Sequence, residues 1–335
     1  STSQKARVIA QIEHRQTDTI PYTTGGFEGD VAERLDLHYG SHHWRGLLDD
    51  AIRPLPIPSK GLLIDMDTGR YFTDLFGSTW RVDLRPHQLV EPALKEPSLD
   101  NLQLPTIDDC FDADWETRAQ MFASENSDHF LTGFFGFGLF ERSWTLRGFE
   151  NTMVDIAAHP DFYDALIQRL ADHQMAIVKR LLKLPVDGIM FSDDWGYQRG
   201  VLMGAKRWRS IYKPRLAELY TMVHEAGKYV LSHCCGSIVE ILPDLIEIGL
   251  DVYESVQPEA HNNGPYELKR QFGDRLTFWG GLGSQSTIPF GTPEDIKAEV
   301  SRLCREMGKG GGYILSPAKG LQPETPTENA AAMVE

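Results

Sequence analysis

The sequence predicts an α/β fold, a (β/α)8 barrel, and two observations carry that expectation. From Phe130 onward short apolar segments alternate with amphipathic stretches, and strand–helix alternation of this kind builds a parallel sheet. The 335 residues hold roughly eight such units, which favours a closed barrel over an open sheet.

The elements follow in chain order. Ile20-Pro21-Tyr22-Thr23 is expected to be a short strand ending at Gly25-Gly26. Arg70-Tyr71-Phe72 and Thr79-Trp80-Arg81-Val82 flank Phe76-Gly77, which reads as a hairpin with a glycine turn. It lies in an irregular excursion from the barrel, roughly residues 60–100. Strands are then expected at Phe130–Phe134, Gly188–Phe191, Tyr229–Leu231, Val252–Tyr253, Leu276–Trp279 and Tyr313–Leu315. Between Arg207 and Glu225 apolar residues recur at Trp208, Ile211, Tyr212, Leu216, Leu219, Tyr220 and Val223, close to a helical period. Ala226-Gly227 closes that helix. Thr292 caps another that begins at Pro293 and runs to Met307. The glycines from Gly308 to Gly312 turn it into the last strand. With no linker, low-complexity stretch or repeat, residues 1–335 are expected to form one domain.

Composition narrows the function. Hydrophobic residues make up 41%, normal for a chain with a core. No apolar run approaches the ~18 residues a membrane helix needs. The start, Ser1-Thr2-Ser3-Gln4-Lys5, runs into a polar helical pattern without a signal-peptide core. A soluble, cytoplasmic protein is the expectation. The net charge of −15 and the lack of a Lys/Arg-rich run argue against nucleic acid. The acidity is either a solvated surface or a face for a basic partner. A homodimer is left open. Four cysteines in a chain this long make no disulfide framework. Cys110 and Cys304 read as ordinary thiols, and the Cys234-Cys235 pair stands apart.

Barrel enzymes carry their chemistry where strands end. The first such end is Ser192-Asp193-Asp194-Trp195-Gly196, whose two carboxylates either ligate a metal and work as acids or serve as a cap and an ion pair to Arg199. Because side chains alternate, one aspartate can face the mouth while the other caps. The next is His233-Cys234-Cys235-Gly236, where a His-x-Cys spacing suits a soft divalent metal; the competing reading is a buried thiol pair beside a hydrogen-bonded histidine. Glu254-Ser255-Val256-Gln257 follows another strand, and Glu254 is read as a metal ligand or an orienting acid, or else as half of an ion pair. Gly280-Gly281-Leu282-Gly283 allows close backbone approach but lacks the dinucleotide spacing. Lys319, after the last strand, holds an anionic group or is solvated. Asp193, Asp194 and Glu254 are thus the catalytic candidates, and His233, Cys235 and Glu254 the metal candidates. Trp195, Phe134, Gln257 and Lys319 are the candidates for substrate contact. The aromatic-rich stretch Phe134–Phe149 is core or, in part, an apolar pocket wall.

These residues resemble a family. His233-Cys234-Cys235-Gly236 followed by Ile238-Val239-Glu240-Ile241-Leu242-Pro243 is similar to the uroporphyrinogen decarboxylase superfamily. So are Ser192-Asp193-Asp194-Trp195-Gly196, Phe278-Trp279-Gly280-Gly281, Ile314-Leu315-Ser316-Pro317 and Leu139-Phe140-Glu141-Arg142 with Leu146-Arg147-Gly148-Phe149-Glu150. The resemblance implies one of two branches. Decarboxylases grip their polycarboxylate through an arginine-rich segment near the N-terminus, whereas here Tyr22-Thr23-Thr24-Gly25-Gly26-Phe27-Glu28 has no arginine. Cobalamin-dependent methyltransferases carry His-x-Cys at a strand end, where it binds zinc, so the likeness implies zinc at His233 and Cys235. Thiol-activating members add a cysteine in the last-strand loop, and here that loop reads Ser316-Pro317-Ala318-Lys319. A third ligand is then expected from Glu254, Asp193 or Asp194. The resemblance therefore implies O-demethylation: methyl transfer from a small methoxylated compound to a corrinoid carried on a separate protein, since no cobalamin-binding segment is evident. A lyase acting on a smaller carboxylate and a ligand-binding barrel without turnover are the rival expectations.

Overall fold

The computed structural model describes residues 2–335. Seven parallel strands form the central sheet: β1 Ile52–Pro54, β2 Phe130–Phe134, β3 Gly188–Ser192, β4 Tyr229–His233, β5 Val252–Ser255, β6 Thr277–Leu282 and β7 Tyr313–Pro317. Their spatial order is their chain order. The segment around Tyr22 joins the two edges. Thr23 N–H donates to the Leu315 carbonyl at 2.9 Å, Leu315 N–H to Pro21 at 3.0 Å, and Ala51 N–H to Tyr22 at 2.9 Å. The expected first strand is thus reduced to a single bridge, Tyr22 to Leu315, yet it fills the eighth position of the ring.

Side-chain alternation sorts the strand residues into two sets. Ile52, Phe130, Leu231, Val252 and Ile314 gather inside the ring, with Met190 and Trp279 against them. The helix Gln4–Ile12 inserts Val8 and Ile12 into that cluster and closes the N-terminal end. Leu131, Ile189, Val230, Tyr253, Phe278 and Tyr313 belong to the outer core under the helices. The inner set fixes the phase of each strand up to its C-terminal end.

Three features differ from the sequence expectation. The helix expected from Arg207 to Glu225 is two helices, Ala205–Ile211 and Lys213–Glu225. Pro214 has no N–H to return to Ser210, so the helix breaks around Tyr212. Strand β1 is new; its three residues offer one buried apolar side chain, Ile52, beside a proline. The 60–100 region holds three antiparallel strands, Tyr71–Thr73, Thr79–Arg81 and Gln88–Glu91. Its first turn is held by Asp74, whose carboxylate accepts from Phe76 N–H, Ser78 N–H and Trp80 Nε1–H at 2.9 to 3.1 Å. Gly77 supplies the left-handed residue there, φ 93°.

The helix Pro293–Met307 opens on a complete capping box between Thr292 and Asp295. All four cysteines are free thiols. Among the described residues no helix is long and apolar enough to cross a membrane.

Candidate metal centre at the barrel mouth

Leu231 and Val252 point into the barrel, so His233 and Glu254, two residues further along β4 and β5, point in as well. Register places them side by side: His233 pairs with Ser192 on one flank and Glu254 on the other, and Glu254 pairs with Trp279. Asp194 and Cys235 continue the inward phase just past the ends of β3 and β4.

These phases converge on one point. Cys235 Sγ lies 3.4 Å from His233 Nε2, and Asp194 Oδ1 lies 3.6 Å from the same nitrogen. One donor atom from each of the three residues falls within 4.8 Å of the others. A tetrahedral zinc with ordinary bond lengths separates sulfur, nitrogen and oxygen ligands by roughly 3.3–3.6 Å. The donor set and these two distances therefore fit zinc, which the three residues would hold.

The other imidazole nitrogen, Nδ1, is bonded to Glu254. Glu254 therefore lies behind the histidine, on the side away from the donor cluster, and the third donor atom of that cluster comes from Asp194. A carboxylate on the far nitrogen fixes the tautomer that turns Nε2 toward the donors. Burial works against a charged His233, but Glu254 and Cys235 outweigh it and raise its pKa well above the usual histidine value.

The turn that presents Cys235 is held by backbone bonds. Cys235 N–H donates to Asp194 Oδ1 at 2.9 Å, Gly236 N–H to Gln257 Oε1 at 3.2 Å, and Ser237 N–H to the Tyr197 carbonyl at 2.9 Å. Gly236 sits at φ 74° with Tyr197 N 2.6 Å from where its Cβ would stand, so only glycine fits. Gln257, expected at the substrate, is thus a brace of the cysteine turn.

Asp193 points the opposite way from Asp194. It is buried, and its carboxylate accepts from Phe140 N–H and Glu141 N–H, both at 2.9 Å, at the start of the helix Leu139–Arg147. It caps that helix, on the side away from the donor cluster. Trp195 is likewise buried, edge-on to Trp208 with ring centroids 5.4 Å apart. Lys319 is exposed two residues beyond β7 and outside the donor cluster. Phe134 is half-buried at the end of β2 in the inward phase. The rest of the aromatic stretch is largely core: Phe135 and Phe140 are buried, and Phe140 packs on Tyr212.

One residue escaped the sequence reading as part of the site. Glu141 is buried, and its Oε1 accepts from Asp194 N–H at 3.2 Å. Burial first, then the neighbouring Asp193 and Asp194 carboxylates, raise its pKa far above the carboxylate range. Its signal was an acid following Leu139-Phe140 within the aromatic-rich stretch from Phe134 to Phe149.

Across the mouth Trp279 Nε1–H donates to Thr23 Oγ1 at 2.9 Å, tying β6 to the Tyr22 segment. The solved structure of a methyltransferase from Methanosarcina mazei superposes over 100% of this chain and 98% of its own length with a TM-score of 0.71, at 19% identity. That likeness is one of fold. A uroporphyrinogen decarboxylase from Coxiella burnetii is 23% identical over 289 residues, 81% of this chain and 76% of that protein. The methylcobamide:CoM methyltransferase MtaA from Methanosarcina barkeri is 31% identical over 133 residues, 40% of this chain and 36% of that protein. The family model for uroporphyrinogen decarboxylase (URO-D) matches residues 133–335, the stretch that holds Glu141, Asp194, His233, Cys235 and Glu254. With that match covering more than half of its length, the chain belongs to the uroporphyrinogen decarboxylase family.

Proposed function

We propose that the chain is a zinc-dependent methyltransferase that moves a methyl group from a small methoxylated, aromatic compound to a reduced corrinoid carried on a separate protein. The observation that carries the reading is the donor set of Asp194, His233 and Cys235 at one inward-facing point of the barrel mouth. The likeness to a methylcobamide:CoM methyltransferase supports methyl chemistry on a corrinoid. The absence of arginine from Tyr22 to Glu28 disfavours a polycarboxylate substrate, and the absence of cysteine from Ser316 to Lys319 disfavours a thiol acceptor.

Bound at this point, zinc supplies a Lewis acid for the ether oxygen, the atom that gains charge as the methyl group leaves. The chain's own residues prepare that position. Glu254 holds His233 in one tautomer and rotamer. Asp194 and Gln257 hold the Cys235 turn through its N–H groups. Glu141 accepts from Asp194 N–H and so fixes the backbone that carries a donor residue. Phe134 and Trp279, half-buried in the inward phase, offer apolar surface to a ring.

The decarboxylase relative, matched over 81% of this chain, favours a second reading: a metal-free lyase for a smaller carboxylate. Elemental analysis separates the two. Wild type is expected to carry about one zinc per chain and Cys235→Ser far less. Equal zinc in both proteins would sink the zinc assignment.

A further inference from the structure

The chain carries a net charge of −15, yet from Trp195 to Ala217 it contains Arg199, Lys206, Arg207, Arg209, Lys213 and Arg215 and no Asp or Glu. Three of these cations are neutralised by acids from neighbouring elements. Arg209 and Lys213 both meet Asp244, at 2.9 and 2.8 Å, and Arg215 meets Asp164 at 3.0 Å. Arg199, Lys206 and Arg207 are exposed, and among the described residues none of the three forms an ion pair. One acid, Glu240, stands near the hairpin, 3.2 Å from where a Gly200 Cβ would be, and leaves the strip positive.

The place of these residues makes the charge informative. The hairpin Gly196–Val201 begins two residues after Asp194, and its Tyr197 carbonyl accepts from Ser237 N–H beside the Cys235 turn. Lys206 and Arg207 lie in the first turn of the helix Ala205–Ile211, which has no acid there. Cations at a helix start oppose the helix dipole, so local stability does not account for them. Tyr197 is exposed on the same hairpin, 47% accessible. Arginine and tyrosine are the residue types that anchor protein interfaces.

We propose that Tyr197, Arg199, Lys206 and Arg207 form the docking surface on which an acidic face of the corrinoid-carrying protein seats, beside the donor cluster. The proposal rests on the methyl-transfer reading, which requires a second protein to bring its corrinoid to this mouth. Opposite charge across the rim steers the encounter and sets the orientation.

The test has two arms. In the first, the corrinoid protein, purified from the source organism by its corrinoid absorbance, is titrated against wild type and against the triple variant Arg199→Glu, Lys206→Glu, Arg207→Glu. The expected result is a Kd at least about tenfold weaker for the variant at low salt, with the gap closing as salt is raised. A neutral version, Arg199→Gln, Lys206→Gln, Arg207→Gln, is expected to fall between. In the second arm, both proteins are given free reduced cobalamin in place of the protein-borne corrinoid, and equal methyl transfer is expected. Equal affinities in the first arm, or no binding by wild type, overturn the docking surface. A variant slowed equally toward free cobalamin also overturns it, because the cations then act at the reacting site. Failure of wild type to methylate free cobalamin contradicts the methyl-transfer reading instead, and the titration still decides the docking surface.

Discussion

Glu254→Gln separates the two roles open to this residue. Glutamine keeps the shape of the side chain and an oxygen that accepts from His233 Nδ1, but it removes the negative charge. The His233 and Glu254 side chains are only 26% and 15% exposed, so solvent screens the carboxylate weakly. Partners behind a metal-ligating histidine contribute roughly 10–100-fold to metal affinity, which is about 1.4–2.8 kcal/mol at 1.4 kcal/mol per tenfold. The variant is therefore expected to bind zinc at the same stoichiometry with a Kd raised within that range. Competition against a chromophoric chelator at neutral pH measures it, with Cys235→Ser as the reference for loss of a true ligand. A loss as large as that of Cys235→Ser would make Glu254 a ligand and refute the placement of Asp194 as third donor. An unchanged Kd would refute the orienting role.

Other expectations test the supporting structure. Asp193→Ala removes two hydrogen-bond acceptors from the buried helix start at Phe140 and Glu141, and urea unfolding should show a loss of about 2 kcal/mol or more; less than 1 kcal/mol would mean that the helix start finds other acceptors. Gly196→Ala places a Cβ against the Cys235 carbonyl and close to Ile238 and Gly236, so it should weaken zinc binding by displacing the cysteine turn, and unchanged affinity would show that the hairpin yields instead. Asp155→Ala strands the buried Arg147 guanidinium, whose Nε lies 2.7 Å from Asp155, and thermal or urea unfolding should register roughly 3–5 kcal/mol; a loss near zero would mean that the Leu94 carbonyl and the nearby Phe162 ring compensate.

Much of the barrel is legible in the sequence because its strands from Phe130 onward are continuous apolar runs that end in Gly, Ser or charged residues. Ile52–Pro54 is not legible, since three residues with one apolar side chain carry no pattern. The break at Tyr212 was available in Pro214, but the apolar period ran straight through it. At the site, alternation alone tells that Asp193 and Asp194 point opposite ways. It does not tell which faces in until Met190, in phase with Ser192 and Asp194, is seen to lie against the inner cluster. Glu254 illustrates a different limit. Sequence places it beside His233 on the next strand, but whether it meets the metal position or the far nitrogen depends on the ring's orientation. Glu141 belongs to another strand–helix unit altogether and reaches Asp194 only through the fold, and Trp195 is one residue out of phase with the donor cluster.

Single-turnover methyl transfer tests the central claim most directly. Zinc-loaded protein is mixed with reduced corrinoid and each of a panel of methoxybenzoates, methoxyphenols and simple methylamines, and the spectrum is followed for conversion of the reduced to the methylated corrinoid. At least one methoxyaromatic compound should methylate the corrinoid with wild type, and none should do so with Cys235→Ser. If no donor methylates the corrinoid while a porphyrinogen or another carboxylic acid loses carbon dioxide, the lyase reading is right and the methyltransferase reading is contradicted.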